Sequence, residues 1–233
     1  MRLHRFYVSQ PLGEEVVTED VSLINQWTKV FRYTIDDLVV LFNGDGNDYC
    51  YSLSDIQKKS CTLKLSKTTP SYIPSQKITL CLSLIKKDNF ELAVQKATEL
   101  GVTTIIPILS FRSEKKNLSF ERLEKIATES AEQCGRGDIP KIFPITPLTK
   151  ILESVSALPQ TQCIAFNMGG MPSKDIQKKT NKDIYIFIGP EGGWSEEDVT
   201  LLEQHYVDIH SLGETVLRAE TAAIAACTLV TLS

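Results

Sequence analysis

The 233-residue sequence has no apolar run approaching the ~20 residues that would cross a bilayer. Its start, Met1-Arg2-Leu3-His4-Arg5-Phe6, lacks the apolar stretch of a secretory signal. Both absences predict a cytoplasmic protein without a membrane partner. There are only three histidines, and the six cysteines, at 50, 61, 81, 134, 163 and 227, form no Cys-x-x-Cys pair. His205 and His210 are spaced like zinc ligands but have no cysteine nearby, so no metal is expected. Scattered cysteines of this kind are expected to be buried thiols. There is no excess of positive charge either, with 25 Lys+Arg against 29 Asp+Glu and a net charge of −4. A uniformly basic nucleic-acid-binding surface is thereby excluded, although a local basic track is not. The 12 glycines and 10 prolines show no repeat, and 42% hydrophobic content excludes disordered and collagen-like classes.

What is present divides into two rhythms. Arg5 to Val8, Asp37 to Phe42, Tyr49 to Leu53 and Cys61 to Leu65 read as short strands, with a glycine turn at Asn43-Gly44-Asp45-Gly46 and one helix over about Ser22 to Phe31. The segment 68–75, Thr-Thr-Pro-Ser-Tyr-Ile-Pro-Ser, has no periodicity and predicts a domain boundary. Beyond it, strands alternate with helices. Lys77 to Ile85 reads as a buried strand, followed by a helix with Asp88 as N-cap and Glu91 as its capping-box partner, ended by Gly101. Thr103 to Leu109 is a strand and Ser119 to Cys134 a helix. Ile164 to Phe166 and Ile184 to Ile188 are strands, Ser195 opens a helix, and Glu220 to Leu232 closes the chain as a helix apolar nearly all round. This pattern predicts an α/β domain with a mostly parallel sheet, placed after a smaller β-rich one.

Three stretches could carry chemistry. In Ile188-Gly189-Pro190-Glu191-Gly192-Gly193-Trp194-Ser195 a strand runs through a glycine-rich turn into a capped helix, the form of a ligand loop at the carboxyl end of a parallel strand. No Gly-Lys-Ser/Thr follows, so it is not a P-loop. Glu196, Glu197 and Asp198 in the first helical turn oppose a phosphate, so an uncharged or cationic ligand fits better. Leu212-Gly213 with Leu217-Arg218-Ala219-Glu220 forms a second glycine-bearing loop before the closing helix, and the two loops suggest one shared pocket. Gln133 and Arg136 flank the glycine that ends a third helix, a position that often points at a ligand. Each stretch also has a purely structural reading, as a capped turn, as end charges or as a solvated face.

Four segments occur in order with fitting spacing: Lys96-Ala97-Thr98-Glu99-Leu100-Gly101-Val102, Glu132-Gln133-Cys134-Gly135-Arg136, Gly189-Pro190-Glu191-Gly192-Gly193, and Leu212-Gly213 with Leu217-Arg218-Ala219-Glu220-Thr221-Ala222. Together with His4-Arg5-Phe6 and the Asn43-Gly44 turn, they resemble the RsmE family of bacterial small-subunit ribosomal RNA methyltransferases, members of the SPOUT class. The resemblance implies an N-terminal PUA-like β-barrel for RNA, placed at 1–70, and a C-terminal α/β domain closed by a deep trefoil knot, placed at 71–233. It implies a homodimer that binds S-adenosylmethionine and methylates uridine N3 in 16S ribosomal RNA, within the small subunit, with no role for DNA.

The family's cofactor loops carry over onto Gly189, Pro190, Glu191 and Gly192 and onto Leu212, Gly213, Val216 and Leu217. Phe166 is expected at the first loop, where Asn167-Met168-Gly169-Gly170 matches no family signature. Uracil N3–H is weakly acidic, so Arg218 is the candidate for stabilising the uracil anion, with Glu191 or Glu220 as proton acceptor. Either carboxylate could instead orient the cofactor or Arg218. Arg5, Arg32, Arg112, Lys115, Lys116, Gln133 and Arg136 are the candidate RNA contacts, Arg5 by presenting its guanidinium to a phosphate. The alternatives are a SPOUT enzyme acting on a ribose 2′-hydroxyl or on transfer RNA, and a non-catalytic RNA-binding assembly protein.

Overall fold

The computed structural model describes residues 3–113, 117–176 and 183–232. The chain forms two compact units. One is built on the residues up to Ile73 together with Ala131–Asp138, the other on Pro74–Ser130 and the residues from Ile139 onward.

In the first unit, strands β1 (Arg5–Tyr7) and β2 (Glu15–Thr18) precede helix α1 (Val21–Asn25), which continues as a π-helical turn over Gln26–Val30. Strands β3 (Leu38–Phe42), β4 (Asn47–Ile56) and β5 (Cys61–Pro70) follow. They form one sheet in the order β1-β3-β4-β5-β2, parallel between β1 and β3 and antiparallel elsewhere. Helix α1 begins at Asp20, whose carboxylate accepts from the N–H groups of Ser22 (2.8 Å) and Leu23 (3.1 Å). The widened π turn is where Trp27 enters the core, edge-on to Phe6 and packed with Val39, Leu41, Leu53 and Leu63. The β3–β4 turn needs positive φ at Gly44 and Gly46, which glycine supplies without a Cβ clash.

The structure differs from the sequence reading in two places here. Thr68–Pro70, read from sequence as part of a linker, is the end of β5 and pairs with Asn47–Tyr49. Strand β2 carries no apolar run and was not expected; only Val16 and Thr18 face inward.

The second unit contains β6 (Ile78–Ser83), α2 (Lys87–Glu99), β7 (Thr104–Leu109), α3 (Phe120–Cys134, its last residues belonging to the first unit), β8 (Lys141–Ile142), β9 (Thr146–Pro147) and α4 (Leu148–Ser156). These are followed by β10 (Thr161–Pro172), β11 (Asp183–Ile188), α5 (Glu196–Gln204), β12 (Asp208–Ser211) and α6 (Ala219–Leu232). The sheet runs β12-β10-β11-β6-β7-β8 with β9 also beside β7, and every pairing among the described residues is parallel.

Such a sheet must be covered on both faces, and the strand alternation shows how. Ile78, Leu80 and Leu82 of β6 and Ile184, Ile186 and Ile188 of β11 point into a core shared with α2, α3 and α6. Cys81 and Phe187, on the opposite face, meet Leu148, Ile151, Leu152 and Val155 of α4 and Leu202 of α5. Helix α2 departs from the sequence reading: its N-cap is Lys86, without a side-chain cap. Asp88 sits inside the first turn, and Glu91 pairs with Lys87 and Arg122 instead of closing a box. Gly101 ends the helix with φ +88°, as the sequence predicts.

Candidate functional site

Strands β10, β11 and β12 are neighbours in the sheet, and the loops at their carboxyl ends enclose one cavity of about 610 Å³ counted to its open mouth. Ligands settle at this end of parallel sheets because the departing loops leave backbone groups unpaired.

The first wall comes from β10. Its pairing with β12 slips register between Phe166 and Met171, and the released Asn167 and Met168 face the cavity. Gly170 lies so close to β12 that a Cβ there would stand 2.6 Å from the His210 carbonyl carbon, leaving room for glycine alone.

The second wall is the β11–α5 loop. A hydrogen bond from Gly193 N–H to the Pro190 carbonyl (2.8 Å) folds it back, with Gly193 at φ +68°. The Trp194 indole, 6% exposed, crosses beneath and donates from Nε1 to the Phe166 carbonyl at 3.0 Å, tying the first wall to the second. A Cβ on Gly189 would stand 3.2 Å from that indole, so its glycine makes space for Trp194 within the wall. Glu191 accepts from the Lys86 N–H at 2.8 Å. Helix α5 then opens on a reciprocal capping box between Ser195 and Asp198. Beside it, the Glu197 carboxyl is held below the usual carboxylate range, first by its own backbone N–H, then by Ser195, with Arg112 adding to the effect.

The third wall is the β12–α6 loop, in which Ser211 Oγ donates to the Gly213 carbonyl (2.8 Å) and Gly213 adopts φ +138°. Leu212, Thr215, Val216 and Leu217 face the cavity, and Ala219 and Ala222 of α6 close its floor.

The cavity thus gathers Phe166, Gly189, Pro190, Glu191, Leu212, Val216 and Leu217 from the sequence-based candidates. Gly192 and Gly213 shape the loops without lining the wall. Sequence reasoning missed Asn167, Met168, Trp194, Ser211 and Thr215. Trp194 alone left a signal, as an aromatic directly after a glycine pair. Glu191 is the one ionisable side chain among the described residues lining the cavity. Arg218 lies just outside, exposed, with no hydrogen bond or ion pair to its guanidinium among the described residues. Glu220 is buried at 6% exposure, and its Oε2 lacks a hydrogen-bond partner.

The RNA candidates separate sharply. Arg32, Arg112 and Gln133 are exposed. Arg32 holds a left-handed backbone (φ +58°), uncommon for a non-glycine residue, and Arg112 Nη1 donates to the Gly192 carbonyl at 2.9 Å. Lys115 and Lys116 lie outside the described residues. Arg5 and Arg136 are corrected. Arg5 is buried at 8% exposure, pairs with both oxygens of Asp48 (2.6 and 3.0 Å) and donates to the carbonyls of Ala131 and Arg136, so its guanidinium is not offered to a phosphate. Arg136 is 2% exposed and bidentate on Asp138. Both arginines fasten the Ala131–Asp138 segment within the first unit. The cysteines also depart from expectation in part: Cys134 is exposed and Cys163 half-buried.

Among the described residues no helix is long and apolar enough to cross a membrane. Residues 73–231 match the RNA methyltransferase domain family, and residues 28–66 match the RNA methyltransferase PUA domain. The chain is 30% identical to the ribosomal RNA small subunit methyltransferase E of Rickettsia conorii, over 97% of this chain and 94% of that protein. It is 34% identical to the Mesomycoplasma hyopneumoniae protein of the same name, over 95% and 96%. Its structure resembles the crystal structure of a Neisseria gonorrhoeae ribosomal RNA small subunit methyltransferase E bound to S-adenosyl methionine, at a TM-score of 0.87 and 26% identity, covering 97% of this chain and 95% of that one. The motifs, the parallel sheet with its three-loop cavity and these likenesses agree: the chain belongs to the ribosomal RNA small subunit methyltransferase E family.

Proposed function

We propose that the protein transfers a methyl group from S-adenosylmethionine to N3 of a uridine in small-subunit (16S) ribosomal RNA, as a cytoplasmic homodimer. The observation that carries the cofactor assignment is the charge of the cavity wall. It is mostly apolar and backbone, with Glu191 as its one ionisable side chain and no Lys, Arg or His among the described lining residues. A wall whose one charge is the Glu191 carboxylate repels no sulfonium and disfavours a phosphate. The donor set therefore fits the cofactor: Leu212, Val216 and Leu217 supply apolar surface, Gly189 and Pro190 supply backbone, and Glu191 supplies a countercharge. When bound there, S-adenosylmethionine supplies an electrophilic methyl group.

The chain's own contribution is positioning and charge. Arg218 follows the lining residue Leu217 directly, with its guanidinium uncommitted among the described residues, and it stabilises the oxygens of the deprotonated uracil. Glu191 already accepts one backbone N–H through Oε1, so it holds the cofactor's charge. That leaves Glu220 Oε2, buried and without a partner, to take the N3 proton or to orient Arg218. The exposed Arg32, Arg112 and Gln133 make the RNA contacts. The knot implied by the family is part of the same reading, since it would hold the β10, β11 and β12 loops around one ligand.

The test supplies labelled S-adenosylmethionine to the purified protein with small subunits, with free small-subunit RNA, or with transfer RNA, each from cells lacking this gene. Label in RNA from either small-subunit substrate is expected, and is lost in Arg218→Ala. Label only in transfer RNA, or binding without transfer, would replace this reading with one of the alternatives.

A further inference from the structure

We propose that Phe111 is a stacking platform for a base of the RNA substrate, held in place beside the cofactor cavity. The proposal deepens the methyltransferase reading and rests on it. Phe111 is 73% exposed, among the most exposed large apolar side chains described. A single exposed aromatic is unremarkable by itself. This one differs in how firmly its backbone is held. Ser110, just after β7, is buried, and its hydroxyl bonds to those of Ser83 (3.1 Å) and Ser113 (2.8 Å). The Phe111 N–H donates to both carboxylate oxygens of Asp198 (3.2 and 3.3 Å), the buried carboxylate that also caps α5. The next residue, Arg112, spans to the Gly192 carbonyl.

The Phe111 backbone is therefore fastened to the Gly189–Asp198 stretch that forms the second wall of the cavity, while its ring projects into water. An aromatic carried by an already ordered backbone loses little further entropy on contact. The chemistry nearby selects what it contacts. Arg112, the next residue, is exposed and is one of the RNA contacts of the proposed function, so a ring beside it meets the same RNA chain. A flat, uncharged π-face is the complementary partner, and a base splayed from single-stranded RNA offers one.

Because the side chain is exposed and the loop is held by backbone and by neighbours, Phe111→Ala and Phe111→Trp keep every anchoring bond. Base–aromatic stacking corresponds to roughly a ten-fold effect on affinity. With small-subunit RNA from cells lacking this gene as probe, Phe111→Ala should raise the KM for RNA about ten-fold, with S-adenosylmethionine affinity unchanged by calorimetry. Phe111→Trp should restore it. Wild type, whose Trp27 and Trp194 are buried, is the reference: on adding this RNA the fluorescence of Phe111→Trp should fall by more than that of wild type. An unchanged KM in Phe111→Ala overturns the proposal, as does a fall in fluorescence no larger than that of wild type. A shift of Phe111→Ala from dimer to monomer in sedimentation overturns it too, placing the ring between copies of the chain. If the wild type transfers no methyl group, the methyltransferase reading fails, and quenching by RNA still decides the stacking claim.

Discussion

The indole Nε1 of Trp194 donates to the Phe166 carbonyl at 3.0 Å, and this bond ties the loop after β11 to β10 at the point where its register slips. Both groups are buried, so neither has water as an alternative partner. Trp194→Phe keeps most of the volume and strands the carbonyl, a loss of about 1–3 kcal/mol. A lower Tm is expected, together with weaker S-adenosylmethionine binding, read by scanning calorimetry and titration calorimetry on the same preparation. Unchanged cofactor affinity would show that the two walls hold their shape without the bond.

Three glycines should rank by what a Cβ would meet. At Gly170 it would lie 2.6 Å from backbone of His210, which cannot yield, so Gly170→Ala should disrupt the β10–β12 pairing and cost the most stability. At Gly189 it would press the Trp194 ring at 3.2 Å, a neighbour that yields by a few tenths of an ångström, so Gly189→Ala should stay folded and bind the cofactor less well. At Gly213 it would meet open space, and the penalty comes from φ +138°, a region L side chains rarely adopt. Thermal melts of the three alanine variants test the order, with Gly170→Ala lowest.

Arg5 and Arg32 should behave oppositely although both are arginines near the start of the chain. Arg5→Ala leaves Asp48 half-buried without its partner and frees two carbonyls, an effect of about 3–5 kcal/mol by analogy with broken buried pairs. Arg32→Glu changes an exposed side chain, so the fold should be kept while RNA affinity falls and its dependence on salt flattens. Equal Tm losses in the two variants, or a salt slope unchanged by Arg32→Glu, would contradict this division.

The buried thiols set an alkaline limit. Burial raises Cys61 to about 11 and Cys163 and Cys227 to about 12, and places Cys81 well above its ordinary 9.0. A thiol raised in the folded state keeps its proton where the unfolded chain has lost it. Stability is therefore intact below about pH 9 and falls as pH climbs toward the folded values. Tm measured across this window should drop, and Cys163→Ala should make the drop shallower. In the same protein at neutral pH, maleimide should label the exposed Cys134 first.

Much of this was legible in the sequence, and the reasons for the remainder are specific. Strand β6 announced itself through an apolar run buried on both faces, and α5 through the Ser195 cap and its acidic first turn. The glycine-rich loop and Leu212–Leu217 could be paired from their spacing because both follow strands of one parallel sheet. Asn167 and Met168 could not be found that way, since a register slip between β10 and β12 turns them inward and a slip leaves no mark in composition. The N-terminus of α2 was misplaced because the Lys86 N–H is satisfied from far along the chain by Glu191, where a local capping box would require Asp88. Arg5 misled for a similar reason: its partner Asp48 and its two carbonyls lie 43 to 131 residues away.

The central claim is the atom that receives the methyl group. Small-subunit RNA from cells lacking this gene, treated with the protein and S-adenosylmethionine and digested to nucleosides, should yield N3-methyluridine by mass spectrometry. A 2′-O-methylated nucleoside in its place, or no new methylated nucleoside while the cofactor is bound, would contradict the account.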